Sequence, residues 1–254
     1  MNSLNVSCIQ RFSTGDGDGI RTTVFLKGCN LKCPWCHNPE NQSPDPQTLA
    51  FKNGKTVKYG EMIPVCAVLS DVLEDIEFFR ASGGGVTVSG GEPLLQSKAV
   101  SELLKKLKEQ RINTLIDTAG CVPYQRFEDV LEFTDTFYYD YKTAEAGKYK
   151  SIGGDKDTVL YNLEKVISDK KHVHIRIPLI PGFNMSEDDS AAICADLIKA
   201  GVKNVDLLPY HRLGSSKYEA LGIDYEYKSI KPSDKEIIEK IKEFYGKNFT
   251  VRVE

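Results

Sequence analysis

The chain reads as an α/β protein, a partial and open TIM-like barrel of six β/α units, and three observations predict it. Apolar runs of strand length alternate with amphipathic stretches of helical period, the pattern of right-handed βαβ units on a parallel sheet. Six such units suit 254 residues and are too few to close an eight-fold barrel. The polar and glycine-rich segments fall at the C-terminal ends of the predicted strands, where parallel barrels assemble their sites.

The elements follow in order. Thr23–Leu26 is a short apolar strand running into a cysteine-rich loop, residues 28–38. Val65 to Arg80 has helical spacing, and Gly85–Ser89 is a strand ending at Gly90-Gly91. Ser97 to Gln110 sets Val100, Leu103, Leu104 and Leu107 on one helical face. Thr114–Asp117 is the third strand, Phe127–Glu132 a helix and Thr136–Asp140 the fourth strand. A helix at Thr158–Ser168 precedes the strand His172–Leu179, which Pro181-Gly182 stops. Glu187–Ala200 is helical, Val205–Leu208 is the sixth strand, and Ser233–Phe244 is a helix before a terminal Phe249–Val253. One domain over residues 1–254 is expected, with residues 41–62 a segment behind the cysteine loop to which no element is assigned.

Composition narrows the function. With 41% hydrophobic and 27% charged residues and a net charge of −3, this is an ordinary globular composition. It makes no electrostatic case for nucleic acid or anionic membrane. The start, Met1 to Cys8, has neither a basic leader nor an apolar core. No apolar run is long enough to span a bilayer. Seven cysteines, three of them clustered, do not suit a disulfide framework, which leads us to expect a reduced, cytoplasmic protein. A monomer is expected as well.

The cluster itself is Cys29, Cys33 and Cys36, at C-x3-C-x2-C spacing. A [4Fe–4S] cube that only carries electrons takes four thiolates, so three leave one iron open to a ligand. A zinc loop with a distant fourth ligand, or cysteines packed as small hydrophobes, are the alternative readings. Further on, Gly83-Gly-Gly-Val-Thr-Val-Ser-Gly-Gly-Glu-Pro93 offers backbone that a ligand can approach closely, although a glycine run alone is more often a turn. Asp140 and Lys142, two residues apart on a strand, share a face and offer one acceptor and one donor to a zwitterion; alone, they would read as a surface ion pair.

Taken together, the cysteine spacing, the Gly90-Gly91-Glu92 turn, Asp140-Tyr-Lys142 and Leu207-Leu-Pro-Tyr-His-Arg-Leu-Gly214 resemble the radical S-adenosylmethionine (SAM) enzymes that activate glycyl radical enzymes. The similarity runs from Phe12 to Val253 and includes Thr14-Gly-Asp-Gly-Asp-Gly-Ile-Arg21. The family reads DGPGIR there; Asp18 stands in place of the proline, so the loop lacks a fixed φ at that point.

The resemblance implies a radical SAM core, with Cys29, Cys33 and Cys36 ligating one [4Fe–4S] cluster. It places Trp35, Cys36 and His37 beside the adenine of SAM, and Gly90, Gly91 and Glu92 near its amino group. Asp140, Tyr141 and Lys142 would meet the amino acid end, and His211 the ribose or adenine; Arg176 would lie beside the carboxylate or support the pocket, or else form an interior salt bridge. Asp117, Thr118, the Tyr138 carbonyl and Asp140 resemble a monovalent cation site. Asp16 and Arg21 would meet the substrate peptide, or pair with one another inside the protein. Cys8, Cys66, Cys121 and Cys194 are dispersed and read as structural.

Relatives with a ferredoxin-like insert after the cysteine loop carry two further clusters, which need eight thiolates. Residues 41–70 hold one cysteine, Cys66, so the chain resembles a short form without the insert. The implied reaction is reductive cleavage of SAM, with flavodoxin or ferredoxin as electron donor, and hydrogen abstraction from a glycine of a partner lyase, dehydratase or decarboxylase. A radical SAM enzyme acting on a small molecule, or a non-catalytic iron–sulfur or zinc protein, are the other readings.

Overall fold

A computed structural model describes residues 2–254, which divide into two compact units. The first comprises residues 2–30, 38–118 and 122–137, and the second residues 31–37, 119–121 and 138–254.

The first unit holds strands β1 (Ser3–Ser13), β2 (Arg21–Leu26), β3 (Gln47–Ala50), β4 (Thr56–Tyr59) and β5 (Glu61–Pro64). Helices α1 (Val65–Leu73) and α2 (Ile76–Ser82) lead to β6 (Gly85–Gly90), α3 (Ser97–Glu109), β7 (Asn113–Thr118) and α4 (Gln125–Glu128). Its main sheet has the order β5-β1-β2-β6-β7; β2, β6 and β7 are parallel, and β1 is antiparallel to both its neighbours. β3 and β4 form a separate hairpin. Helix α3 buries Val100, Leu103, Leu104 and Leu107, the face its period predicts.

β8 (Thr136–Asp140) begins in the first unit and ends in the second. The second unit continues with α5 (Ala146–Ser151), α6 (Lys156–Ser168), β9 (His172–Leu179), α7 (Glu187–Lys199) and β10 (Asn204–Pro209). It closes with α8 (Ser215–Leu221), α9 (Lys235–Gly246) and β11 (Thr250–Val253). β9, β10 and β11 are parallel, with Asp206 opposite Arg176 and Arg252. Alternation along β9 buries Ile175, Ile177 and Leu179 fully and leaves His174 and Arg176 partly accessible, so one face is core and the other polar. A capping box of Ser186 and Asp189 starts α7.

The alternation of strand and helix is as expected, and four local features differ. The helix expected over Val65–Arg80 is two helices, because Asp75 lies between them with its carboxylate turned inward. It accepts from Thr22 Oγ1 at 2.6 Å and pairs with Arg11 at 2.9 Å. The segment 41–62, to which the sequence assigns no element, contains the hairpin and the start of β5, and the long N-terminal β1 has no counterpart in the expected series. The helix expected at Phe127–Glu132 is a single turn, α4, followed by a 3-10 turn at Leu131–Phe133. Among the described residues, no helix is long and apolar enough to cross a membrane.

Candidate active site

In the first unit, the residues around Cys29 are fixed by backbone. Gly28 N–H donates to the Asn41 carbonyl at 2.8 Å, and Cys29 N–H to that of Gln42 at 3.1 Å. Glu92 N–H donates to the Gly28 carbonyl at 2.8 Å, which brings the Gly90-Gly91 turn against the residue before Cys29. Neither glycine could carry a side chain. Gly90 has φ +121°, and a Cβ there would collide with Leu26 backbone; one on Gly91 would strike the Gly28 carbonyl. Lys27, 2% exposed, donates through Nζ to the Glu40 carbonyl at 2.6 Å.

Two of the sequence-predicted residues lie in the interior of this unit. The Glu92 side chain is fully buried; it caps Leu94 N–H at 3.0 Å and accepts from Thr118 Oγ1 at 2.7 Å. Arg21 is 1% exposed and serves the interior, donating to Thr87 Oγ1 at 2.7 Å, Val86 O at 2.8 Å and Asn113 Oδ1 at 3.0 Å. It also reaches the Asp18 carbonyl at 3.3 Å, which ties down the loop where proline is missing. Asp16 remains partly accessible; its carboxylate accepts from Ser13 and, at 2.8 Å, from Thr23. Of the residues proposed for a cation, Asp117 accepts from Ser89 at 2.8 Å, and Thr118 is bonded to Glu92.

In the second unit Cys33 and Cys36 share a turn, Cys36 N–H donating to the Cys33 carbonyl at 3.1 Å. Cys33 is buried, which pushes its thiol up to about 12 against the opposing pull of Lys142. Lys142, 7% exposed, donates to Asp140 Oδ2 at 2.6 Å. Burial disfavours its charge, but Asp140 and the neighbouring Cys33 sulfur outweigh this and hold the ammonium above its ordinary value. The strand end is pinned by Tyr149, whose hydroxyl accepts from Lys142 N–H at 3.1 Å, and by Asn184, which donates to the Lys142 carbonyl at 2.8 Å. Sequence reasoning missed both; the signal for Asn184 is an amide directly behind the Pro181-Gly182 stop.

Tyr141 is a third interior residue among those predicted. Strand alternation turns it away from Asp140 and Lys142, and its buried hydroxyl donates to Asp196 of α7 at 2.7 Å. Arg176 lies over the Tyr138 ring at 5.2 Å and pairs with Glu254 at 3.2 Å. The Trp35 ring is enclosed by Phe183 and Tyr227, with centroids at 4.5 and 5.8 Å. His37 and His211 stack at 3.9 Å, and a His37 ring nitrogen lies 3.1 Å from the His211 carbonyl. Burial, then the second imidazole, brings His37 down to about 4.

Its relatives make this chain a radical SAM enzyme. The fold is shared with a radical SAM methyltransferase from Sphaerobacter thermophilus (TM-score 0.66, 13% identity, 98% of this chain and 77% of that one). A domain of a pyruvate-formate lyase-activating enzyme from Bacteroides vulgatus matches with TM-score 0.57 and 22% identity, covering 67% of this chain and 99% of that one. Residues 15–142 match the family model described as a 4Fe-4S single cluster domain. The pyruvate formate-lyase-activating enzyme of Clostridium pasteurianum is 37% identical, over 94% of this chain and 95% of its own. Pyruvate formate-lyase 2-activating enzyme of Escherichia coli is 35% identical, over 87% and 82%. Choline trimethylamine-lyase activating enzyme of Oleidesulfovibrio alaskensis is 34% identical, over 85% and 86%. The chain belongs to the family of glycyl radical enzyme activating enzymes.

The family's cofactors are a [4Fe–4S] cluster and SAM, and the donors present fit them. A buried thiol with a raised pKa is a poor thiolate until a metal displaces its proton. Beside it the pair of buried Lys142 and half-buried Asp140 offers complementary charges to an amino acid. Among the described residues, no three His, Cys, Asp or Glu side chains converge to hold a single metal ion, whereas a cube spreads its thiolates over several iron atoms.

Proposed function

We propose that Cys29, Cys33 and Cys36 hold the cluster and that Asp140 and Lys142 receive the amino and carboxylate groups of SAM. The observation that carries this reading is the pair of half-buried Asp140 and buried Lys142 beside Cys33. Gly90 and Gly91 supply backbone acceptors and a close approach next to Cys29. His37 and His211 form a neutral imidazole stack for the nucleoside, with Trp35 as the packed support behind that segment. Arg176, oriented by Glu254 and Tyr138, adds positive charge for the carboxylate. Asp16 is the residue left to meet a peptide, since Arg21 is enclosed. Asp117, Thr118, the Tyr138 carbonyl and Asp140 are proposed for a monovalent cation.

When bound, the cluster and SAM supply one-electron reductive cleavage and hydrogen abstraction from a glycine of the partner. The chain's own share is to orient the zwitterion and exclude water from it. We read residues 1–254 as one functional domain, a cytoplasmic monomer that takes its electron from flavodoxin or ferredoxin.

The test is anaerobic incubation of the reconstituted enzyme with candidate glycyl radical enzymes, SAM and dithionite, read by electron paramagnetic resonance. A glycyl doublet that vanishes when the partner's loop glycine becomes alanine is the expected result. Multiple turnover of a small molecule with no such doublet from any partner would refute the activase reading.

A further inference from the structure

The hairpin of β3 and β4 is not used by the chemistry above, and its charge is one-sided. Residues 47–60 contain Lys52, Lys55 and Lys58 and no acidic residue. Asp45 and Glu61 lie outside those bounds, at the base. Register and alternation sort the faces: Leu49, opposite Val57, is fully buried, while Thr48 and Lys58 are paired on the exposed face. The tip is ordered rather than splayed. Phe51 N–H donates to the Lys55 carbonyl at 2.9 Å, Gly54 N–H to Phe51 at 2.9 Å, and Lys55 N–H to Asn53 Oδ1 at 3.0 Å. Lys52 and Lys55 are therefore displayed at the turn, with Lys58 behind them, all exposed.

The hairpin is rooted beside the cysteine loop. At one end Gln47 Oε1 accepts from Lys27 Nζ at 3.2 Å; at the other, Gly60 packs so tightly on the Lys27 stem that a Cβ would strike it. Lys27 is two residues before Cys29, and the backbone between them is bonded to Asn41 and Gln42. A basic surface is thus joined through one buried side chain to a proposed cluster ligand. Reductive cleavage of SAM needs one electron per event, which an outside donor must deliver to the cluster.

We infer that the exposed face and tip of this hairpin are the docking surface for an acidic one-electron carrier protein that reduces the cluster. This rests on the cluster assignment in the proposed function. The carrier loses one electron and the cluster gains it, with no bond made or broken. Charges at such a rim chiefly set the association rate and its salt dependence, which suits a transient redox partner. Complementary charge singles out a carrier of acidic surface over a basic or neutral partner.

The experiment uses the full, reconstituted chain, with flavodoxin and ferredoxin as the two probes. The triple variant Lys52→Glu/Lys55→Glu/Lys58→Glu is compared with the unmodified protein in direct binding titrations. Oxidation of each reduced carrier is followed in parallel by its own absorbance. We expect at least one carrier to bind about tenfold more weakly and to be oxidised correspondingly slower, the gap narrowing at high salt. Radical formation driven by dithionite should be unchanged, which tests the activase reading separately from the docking surface. Should the charge-reversed protein fail to fold, the triple Lys→Gln variant gives the same comparison. Equal binding of both carriers by a folded, cluster-loaded variant overturns the inference. So does a loss of affinity confined to the glycyl radical enzyme.

Discussion

Replacing Lys142 by methionine removes the ammonium and keeps most of the stem, so the Asp140–Lys142 pair is tested without opening a large void. The 2.6 Å bond joins a lysine side chain that is 9% exposed to a carboxylate that is 26% exposed. A charge-assisted bond from such a lysine to the SAM carboxylate is worth ~1.5–3 kcal/mol. That corresponds to roughly ten- to hundredfold in SAM affinity. Breaking a buried ion pair on one side costs about 3–5 kcal/mol of stability, and Asp140 keeps enough water contact to bring this to about 1–2 kcal/mol. SAM affinity is measured by equilibrium titration on the cluster-loaded variant, with thermal denaturation and iron content as controls. If the pair acts as a unit, adding Asp140→Asn should weaken SAM binding less than the sum of the single effects. Unchanged SAM affinity in a folded variant with full iron content would refute the role given to the pair.

Cys33→Ala should lose the cluster, whereas Cys194→Ala, a small buried residue of α7, should keep full iron and lose roughly 1 kcal/mol of stability; iron and sulfide analysis decides, and loss of the cluster from the Cys194 variant would break the division of roles. Asp135 carries a pH prediction: burial works against its charge, but Lys108 and Thr114 outweigh it and hold the carboxyl below its ordinary value. Its contribution is present above the unfolded value of about 3.9 and is lost as pH falls through the lower folded value, so Asp135→Asn should flatten the acid limb of the stability curve. At neutral pH the variant should be weaker by about 1 kcal/mol, allowing for solvent screening at half-exposed Lys108; an unaltered acid limb in chemical denaturation would show that Asp135 is not coupled to folding.

Much of the chemistry was legible because it is local. The spacing of Cys29, Cys33 and Cys36 bounds how far their thiols can lie apart, and alternation alone puts Asp140 and Lys142 on one face and Tyr141 on the other. The polar strand ends likewise declared themselves, since parallel strands leave one end for function. What periodicity could not reveal is which long-range partner each polar group finds. Arg21 sits in a motif and is nonetheless an interior strut, because Thr87, Val86 and Asn113 converge on its guanidinium. Glu92 stands in the glycine turn and turns its carboxylate to Thr118. Asp75 divides one helical pattern into two because Thr22 and Arg11, both distant in sequence, offer its carboxylate partners.

The sequence by itself determined the class of fold, the cysteine triplet, the strand end that pairs Asp140 with Lys142 and the family those motifs resemble. Each depends on residues close enough along the chain that covalent geometry limits their arrangement. Tertiary structure alone decided the hairpin in residues 47–60, the β1 strand, the enclosure of Trp35 and the contact of His37 with His211, 174 residues apart. A buried polar group must find a partner wherever the fold brings one, and that choice is made by burial and packing rather than by spacing.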